Sequence, residues 1–349
     1  MSKKTLNLIL TIIGIILAVV LVTAVVILIV QKSNDITSKR KYGSISEKVD
    51  NVIENHRSDE SKGEIIWERK PAESPEESEP SGSEPSEEEP SSPSGSEPGE
   101  SEEPSVSPSQ ESPEPSGEPS ESVDASSEEP VSSAAEVQHS SLYQEMKMML
   151  DELRKVNSEV FGYLIVEISN KDGLQTISYP VMQSKTNDNY YLTHMYDGSE
   201  NRNGSIFTLS FVYDKLSKNQ NIPVFGHNMQ SGAMFHKLLT ILSSRDSFYG
   251  KKGVDDYYVD ITFFNENGIY TFDLFSVYYT TSDDDYCTTY FNTVSEFVEF
   301  CDGLQEKSMW KKDLEFYGSD TIMTFSTCTN GIYGDDRIAF HSILTGIFQ

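Results

Sequence analysis

Residues 71–130 hold thirteen of the chain's 15 prolines, 19 Asp or Glu residues, and no Lys, Arg or aromatic residue. A segment of this composition has no apolar surface whose burial could offset the entropy lost on ordering. Proline favours extended polyproline II, and like charges keep such a chain open. The composition predicts a disordered acidic linker over residues 71–135, which leaves only the flanking parts of the 349-residue chain to fold.

The acidic charge belongs mainly to this linker. The formal net charge is −29, and setting aside the 19 carboxylates of residues 71–130 leaves −10 on the rest of the chain. Nucleic acid is not an expected partner, because phosphate binding needs clustered Lys and Arg. For the linker itself we favour a spacer of roughly 40–45 Å between its ends. The alternative is an acidic patch that binds cations or basic wall polymers.

An apolar run precedes the linker. Residues 6–30 carry no charge over 25 positions, which is about 37 Å of helix, and a bilayer core needs about 20 such residues. The run exceeds the apolar core of a signal peptide, and no clear small-residue cleavage site follows it. It predicts an uncleaved transmembrane anchor. Residues 31–70 are polar and predict a juxtamembrane region with a short helix near residues 45–53.

Residues 136–349 have a globular composition. A helical stripe runs through residues 142–156, with Ser140 or Ser141 as the N-cap, and two further helices are predicted over residues 233–242 and 294–304. Alternating or β-branched runs predict eight short strands, over residues 163–168, 176–182, 205–212, 222–225, 258–264, 269–280, 321–327 and 337–344. This pattern predicts a mainly β fold, either a barrel or a sandwich, with peripheral helices.

The three cysteines do not indicate a structural framework. Their number is odd and small, which argues against a set of disulfides, and no Cys or His pair has zinc-ligand spacing. We therefore predict neither a metal site nor a cofactor. Cys301 shares an apolar helix face with Phe297 and Leu304, which predicts a buried thiol.

Cys328 has a different setting, because it follows the predicted strand 321–327. Strand ends and the loops beyond them are where scaffolds present reactive groups. A thiol becomes a useful nucleophile beside a base or a cation. His227 ends the strand in "NIPVFGHNM", and Arg337 opens the strand that follows the loop "TNGIYGDD". A guanidinium cannot act as a base, so its natural role is to stabilise an oxyanion.

From this pattern alone, a structural cysteine at a strand end remains an open alternative. The chain order, His before Cys, argues against a papain-type protease. The segments "TFSTC" and "FGHNM", with the downstream Arg, closely resemble the signature of the sortase family, class B in particular. Supporting similarity extends over residues 140–349 and includes "VNSEVFGYLIV", "ISYPVMQSKTNDNYYLTHMYDG" and the helix at residues 294–304. Two departures are Phe225, where class B often has Tyr, and the length of the Cys–Arg loop.

The resemblance implies a membrane-anchored cysteine transpeptidase with an eight-stranded β-barrel. It implies that Cys328 attacks the Thr carbonyl of a C-terminal, Pro-x-Thr-type sorting signal on a secreted protein. His227 would protonate the leaving amine, and Arg337 would hold the substrate and the oxyanion. The thioacyl-enzyme would pass to the amine of a lipid-linked peptidoglycan precursor.

The resemblance also implies a substrate pocket and a location. Ser326, Thr327 and Thr329 would line the pocket, whereas Asn228 either contacts substrate or only caps its loop. Residues 1–5 would be cytoplasmic and residues 136–349 extracellular. The flanking charges, two basic residues before the span and four soon after it, favour the opposite orientation under the positive-inside rule, and we follow the family.

Three other functions stay open. A pilin-polymerising sortase would use the same residues on a different acceptor. A hydrolytic cysteine peptidase would share Cys328 and His227 but transfer the acyl group to water. A non-catalytic surface ectodomain would share the anchor and the linker without needing the three side chains.

Overall fold

The computed structural model describes residues 3–56, 65–70, 140–170, 173–243, 258–309, 312–329 and 336–349. The predicted acidic linker lies outside the described residues. All elements below belong to one packed unit, formed by residues 1–71 and 137–349.

Eight strands close into a barrel, as the sequence resemblance implied. The order around it is β9-β7-β6-β2-β3-β4-β5-β8, and pairing of β8 with β9 closes the ring. A ninth strand, β1, pairs with the C-terminal end of β9. The strands are β1 (Ile65–Glu68), β2 (Val160–Asn170), β3 (Gly173–Met182), β4 (Ile206–Thr208), β5 (Asn221–Phe225), β6 (Tyr258–Asn265), β7 (Gly268–Thr281), β8 (Ile322–Cys328) and β9 (Asp336–Phe348).

In the described residues, four α-helices accompany the barrel: α1 (Lys3–His56), α2 (Ser141–Val156), α3 (Leu239–Ser243) and α4 (Val294–Lys307). The Ser140 side chain caps α2 by accepting a hydrogen bond from the Tyr143 N–H at 3.2 Å, and Thr293 caps α4 in the same way. These caps satisfy backbone donors that a helix start leaves open. The helix predicted over residues 233–242 is divided into a 3₁₀ turn, Phe235–Leu238, followed by α3.

The barrel interior is filled by alternate residues of its strands. Examples are Val166, Ile177, Val224 and Phe325, all without measurable exposure. Outside the barrel, α4 packs its apolar face on β7 and β9. Cys301 lies in that contact and is fully buried, so the prediction of a buried thiol is confirmed.

The largest difference from the sequence expectation concerns α1. The short juxtamembrane helix expected near residues 45–53 is part of one continuous helix, Lys3–His56. Residues 10–30 of this helix are exposed, whereas Tyr42, Ile45 and Val49 are buried against the rest of the protein. Among the described residues, α1 is the one helix long and apolar enough to cross a membrane.

Candidate active site

The catalytic candidates meet at one end of the barrel. Cys328 is the last residue of β8 and pairs in register with Arg337, the second residue of β9. Strand β5 runs parallel to β8, with Phe225 opposite Ser326. The chain therefore leaves β5 toward the same rim, and His227 follows two residues after Phe225. The neighbouring strands β8 and β9 and the distant end of β5 therefore bring a thiol, a guanidinium and an imidazole to one rim.

These side chains border a common cavity of about 380 Å³. Its lining includes Cys328, His227 and Arg337, together with the predicted Ser326 and Thr327. The described lining does not include Asn228 or Thr329. Apolar side chains supply much of the wall: Leu192, Phe207 and Leu209, which the sequence did not single out, and Phe225, which it marked as a departure from the class B pattern. The cavity thus combines a reactive rim with an apolar wall.

Two contacts fix the position of His227: the packing of the preceding Gly226 against the ring of Phe235, and a hydrogen bond of the imidazole itself. A Cβ atom at Gly226 would lie 2.7 Å from Cδ2 of Phe235, so only glycine fits there without a shift of its neighbours. Nε2 of His227 lies 2.8 Å from the Leu192 carbonyl oxygen. A carbonyl can only accept, so Nε2 carries the proton in this contact, and the contact orients the ring.

Asn228 joins the two strand ends that carry the candidates. Its Nδ2 donates to the Cys328 carbonyl at 2.9 Å, and its Oδ1 accepts from Nδ1 of His236 at 2.7 Å. Asn228 is 8% exposed. The sequence left two roles open for Asn228, contact with substrate or capping of its loop, and the structure adds a third. The side chain links the backbone of Cys328 to the loop that follows His227.

The polar side of the cavity is built around Tyr286. Its hydroxyl shares a hydrogen bond of 2.8 Å with Ser326 Oγ. Burial raises the pKa of Tyr286 to about 12, and the positive charge of Arg337 opposes that rise. Thr327 is buried beside Ser326, and its Oγ1 has no hydrogen-bond partner among the described residues. Thr329 lies just outside, where its N–H donates to the Asp336 carbonyl at 3.3 Å.

The other two cysteines are poor nucleophile candidates. Cys287 lines the same cavity, but burial raises its thiol pKa to about 12. Burial also raises the thiol pKa of Cys301. Both therefore stay protonated at neutral pH, and the thiolate is the reactive form. All three cysteines are unpaired. In the described part of the chain, no group of three or more His, Cys, Asp or Glu side chains is arranged to hold a metal ion.

Sequence reasoning missed Tyr286, Leu192 and His236 as parts of the site. Tyr286 lies in the connection between β7 and α4, and Leu192 ends the 3₁₀ turn Tyr190–Leu192. Neither has a strand or helix period that marks it. Their signal is spatial, because each touches a candidate that the sequence did identify.

The chain is similar in sequence to known sortase B proteins. No protein-family model matches the chain. The chain is 32% identical over 186 residues to sortase B of Listeria monocytogenes, covering 53% of this chain and 68% of that protein. It is 32% identical over 189 residues to sortase B of Staphylococcus aureus, covering 54% and 71%.

Solved structures are also similar to this chain. A Staphylococcus aureus sortase B–substrate complex is 29% identical, with a TM-score of 0.46, and the match covers 57% of this chain and 86% of that one. A Clostridium perfringens sortase B is 25% identical, with a TM-score of 0.45, over 56% and 98% of the two chains.

Proposed function

This chain belongs to the class B sortases, a family of cysteine transpeptidases, and we propose that it joins secreted proteins to the cell wall from the outer face of the membrane. In this proposal it cleaves a C-terminal sorting signal of the Pro-x-Thr type and transfers the protein to the amine of a lipid-linked peptidoglycan precursor. The observation that carries the proposal is the convergence of Cys328, His227 and Arg337 on one cavity.

The first half-reaction forms a thioester. The Cys328 thiolate attacks the Thr carbonyl carbon, and the carbonyl electron pair moves to oxygen. Arg337 stabilises that oxyanion with a charged donor fork, which the ground-state carbonyl engages less strongly. His227, as imidazolium, then gives its proton to the departing amine as the C–N bond breaks. The C-terminal part of the sorting signal leaves as a free amine.

The second half-reaction returns the enzyme. The acceptor amine attacks the thioester carbon, and neutral His227 takes the proton that the amine loses. Collapse of the second tetrahedral intermediate forms the new amide and releases the Cys328 thiolate. The acyl group reaches an amine and not water only where the acceptor is bound in the cavity or where water is excluded from it.

The cavity walls support a signal with a compact apolar segment. Phe207 and Phe225 stack with ring centroids 5.5 Å apart, and Leu192 and Leu209 line the same space. A proline ring or an aliphatic side chain buries apolar area against such a wall at about 25 cal/mol per Å². Ser326, whose hydroxyl shares a hydrogen bond with Tyr286, lies in the same wall near the reacting Thr.

The location rests on α1. Its exposed apolar part, residues 10–30, is long enough to span a hydrocarbon core of about 30 Å, and helices of this kind also occur as signal sequences. We propose a single-pass anchor with residues 1–5 in the cytoplasm. Long domains translocate largely regardless of flanking charge, so the basic residues after the span do not oppose an extracellular barrel.

The test is a product analysis. The full chain in detergent or nanodiscs is incubated with a library of Pro-x-Thr peptides and an amine, and conjugates are identified by mass. The proposal predicts amide products that carry the amine, with Cys328→Ala inactive and Cys287→Ala active. Free acid alone at saturating amine would identify a hydrolytic peptidase. In a second reaction, a lysine-bearing substrate protein and the peptidoglycan precursor are supplied together, and protein polymers in place of precursor conjugates would identify a pilin-polymerising enzyme.

A further inference from the structure

The C-terminal half of α1 packs directly against the barrel. Tyr42 is 3% exposed, and its ring makes an edge contact with Tyr179 of β3 at 5.1 Å between centroids. Its hydroxyl donates to the Gly204 carbonyl at 3.0 Å and shares a hydrogen bond with Ser205 Oγ at 2.8 Å. A buried tyrosine with a satisfied hydroxyl is a specific anchor, because both its ring and its polar end have partners.

The same helix face continues in both directions. One and two turns further along, Ile45 and Val49 are buried against α2 and the barrel. Toward the N-terminus, Lys41 pairs with Asp197. This face has the 3–4 residue spacing of an amphipathic helix that packs on a core. Residues 34–56 are called the docked half of α1 below.

Contact with the barrel begins almost at the end of the apolar run. The Asn34 carbonyl accepts a hydrogen bond from Asn201 Nδ2 at 3.3 Å, and Asp35 Oδ1 accepts one from Asn203 Nδ2 at 3.0 Å. The helix rises by four residue steps from Val30 to Asn34, which is about 6 Å. The polar headgroup region adds about 5–8 Å to each side of the hydrocarbon core. The loop at residues 195–205 therefore meets α1 at headgroup level.

The segment after α1 is attached as well. Strand β1 pairs with the end of β9, from Ile65 opposite Phe348 to Glu68 opposite Gly346. The next residue, Arg69, donates two hydrogen bonds, of 2.9 Å and 3.0 Å, to the nearly buried carboxylate of Asp320. A bidentate pair of this kind is stronger and more directional than an ordinary surface ion pair.

These contacts attach the chain to the barrel on both sides of the acidic segment. The chain is attached to the barrel through Arg69, and it is attached again from Ser140, the cap of α2. Residues 71–139 therefore connect two points of one folded unit. A tether must instead lie between the anchor and the barrel, and only residues 31–33 lie between the apolar run and the first contact.

We propose that α1 itself holds the catalytic barrel at the lipid surface, and that the acidic segment is an excursion that does not set the reach of the active site. The inference rests on the proposed membrane anchoring of α1. It replaces the spacer role expected from composition. A coil of 60 residues would allow roughly 40–45 Å between anchor and barrel, whereas the helical rise from Val30 to Tyr42 places the Tyr42 contact about 18 Å from the end of the apolar run.

The experiment cuts the acidic segment while the protein is in a membrane. A site for a specific protease replaces residues 98–104 of the full chain, which is then reconstituted into zwitterionic vesicles so that charge does not bind the cut fragment. After cleavage the vesicles are sedimented, and the fragment that carries the barrel is quantified in the pellet and the supernatant. If the acidic segment were the tether, cleavage would release the barrel.

We expect most of the barrel fragment to stay with the vesicles after cleavage. In Tyr42→Ala/Val49→Asp the docked half of α1 loses its anchor and gains a charge against a core, so cleavage should release most of it. Lys48→Ala, at an exposed position of the same helix, is the matched control and should behave like the unmodified chain. The released fragment is checked by its thermal unfolding, so that misfolded protein is not counted.

The outcomes separate this inference from the anchoring on which it rests. Uncut protein that fails to sediment would contradict the membrane anchoring of α1. Uncut protein in the pellet, with a folded barrel released equally from the unmodified chain and from Tyr42→Ala/Val49→Asp, would overturn the docking role of α1. Retention in the unmodified chain and release in that variant would support it, independently of any catalytic activity.

Discussion

Asn228 gives the sharpest test of the site geometry, since its side chain links the backbone of Cys328 to the loop that carries His227. In Asn228→Ala, two hydrogen bonds are lost, one to the Cys328 carbonyl and one from His236. Each such bond contributes about 0.5–1.5 kcal/mol net. We therefore expect a loss of about 1–3 kcal/mol, shared between the free energy of unfolding and the positioning of Cys328.

The assay separates the two effects. Thermal unfolding reports the stability loss, and the single-turnover rate of thioacyl-enzyme formation reports the positioning of Cys328. A loss of about 1.4 kcal/mol from positioning would slow acylation about tenfold. The slower step should appear in the maximal acylation rate and not in the peptide concentration at half-maximum, because Asn228 lies outside the described lining of the cavity.

Asn228→Asp is the matched variant. It keeps an acceptor for His236 but loses the N–H donor to Cys328, and it places a carboxylate oxygen against a carbonyl oxygen. It should retain more stability than Asn228→Ala yet acylate as slowly or more slowly. Acylation at the unmodified rate in both variants would refute the view that this side chain positions the nucleophile.

Four further predictions follow from the same structure. Cys328→Ala should abolish thioacyl formation without unfolding the protein, whereas Cys287→Ala should keep turnover; mass spectrometry of the trapped intermediate checks both. Arg337→Lys keeps the charge but loses the planar fork, so kcat/KM should fall about tenfold to a thousandfold, equivalent to roughly 2–4 kcal/mol, and near-normal kinetics would exclude an oxyanion role. Burial lowers the pKa of His341 to about 3, while the unfolded value is about 6.5, so between these values only the unfolded chain takes up this proton. The free energy of unfolding should therefore decrease as the pH is lowered from about 6.5 to about 3, by up to about 1.4 kcal/mol per pH unit. Urea unfolding should show a shallower decrease in His341→Asn. Deletion of residues 81–120 should leave surface anchoring in cells unchanged, as measured by the amount of substrate protein in purified walls, and a marked drop would show that the acidic segment does supply reach.

Much of the barrel was predictable from local pattern. All eight predicted strands correspond to β2–β9, because half-buried strands alternate between an apolar and a polar face. The boundaries were less reliable. The run predicted as residues 205–212 forms a strand only over Ile206–Thr208. Beyond it, Gln183 Nε2 binds the carbonyl groups of Leu209 and Val212, so a side chain takes acceptors that a sheet would have used.

The site was predictable in part. Cys328 and Arg337 flank one loop between antiparallel neighbours, so their proximity follows from the strand assignment. The approach of His227 does not, because it depends on the parallel pairing of β5 with β8, and local sequence carries no signal for that pairing. The family resemblance supplied this link. Cys287 and Tyr286 line the cavity because the loop that carries them packs there. The sequence of that loop has no helical or strand periodicity from which this packing could be predicted.

The docking of α1 shows why composition misled at the N-terminal side. Residues 31–70 are polar on average, yet Tyr42, Ile45 and Val49 form a narrow apolar stripe, and the residues that this stripe covers lie beyond the acidic segment. The pairing of Ile65 with Phe348 spans nearly the whole folded part of the chain. A long intervening segment does not separate two elements in space, since the cost of closing a loop grows only with the logarithm of its length. Doubling the acidic segment would cost about 0.6 kcal/mol, less than the Tyr42 anchor contributes through its buried ring alone. Its length is therefore nearly free to vary, and under the proposed anchoring it is the helix that sets the distance between membrane and active site.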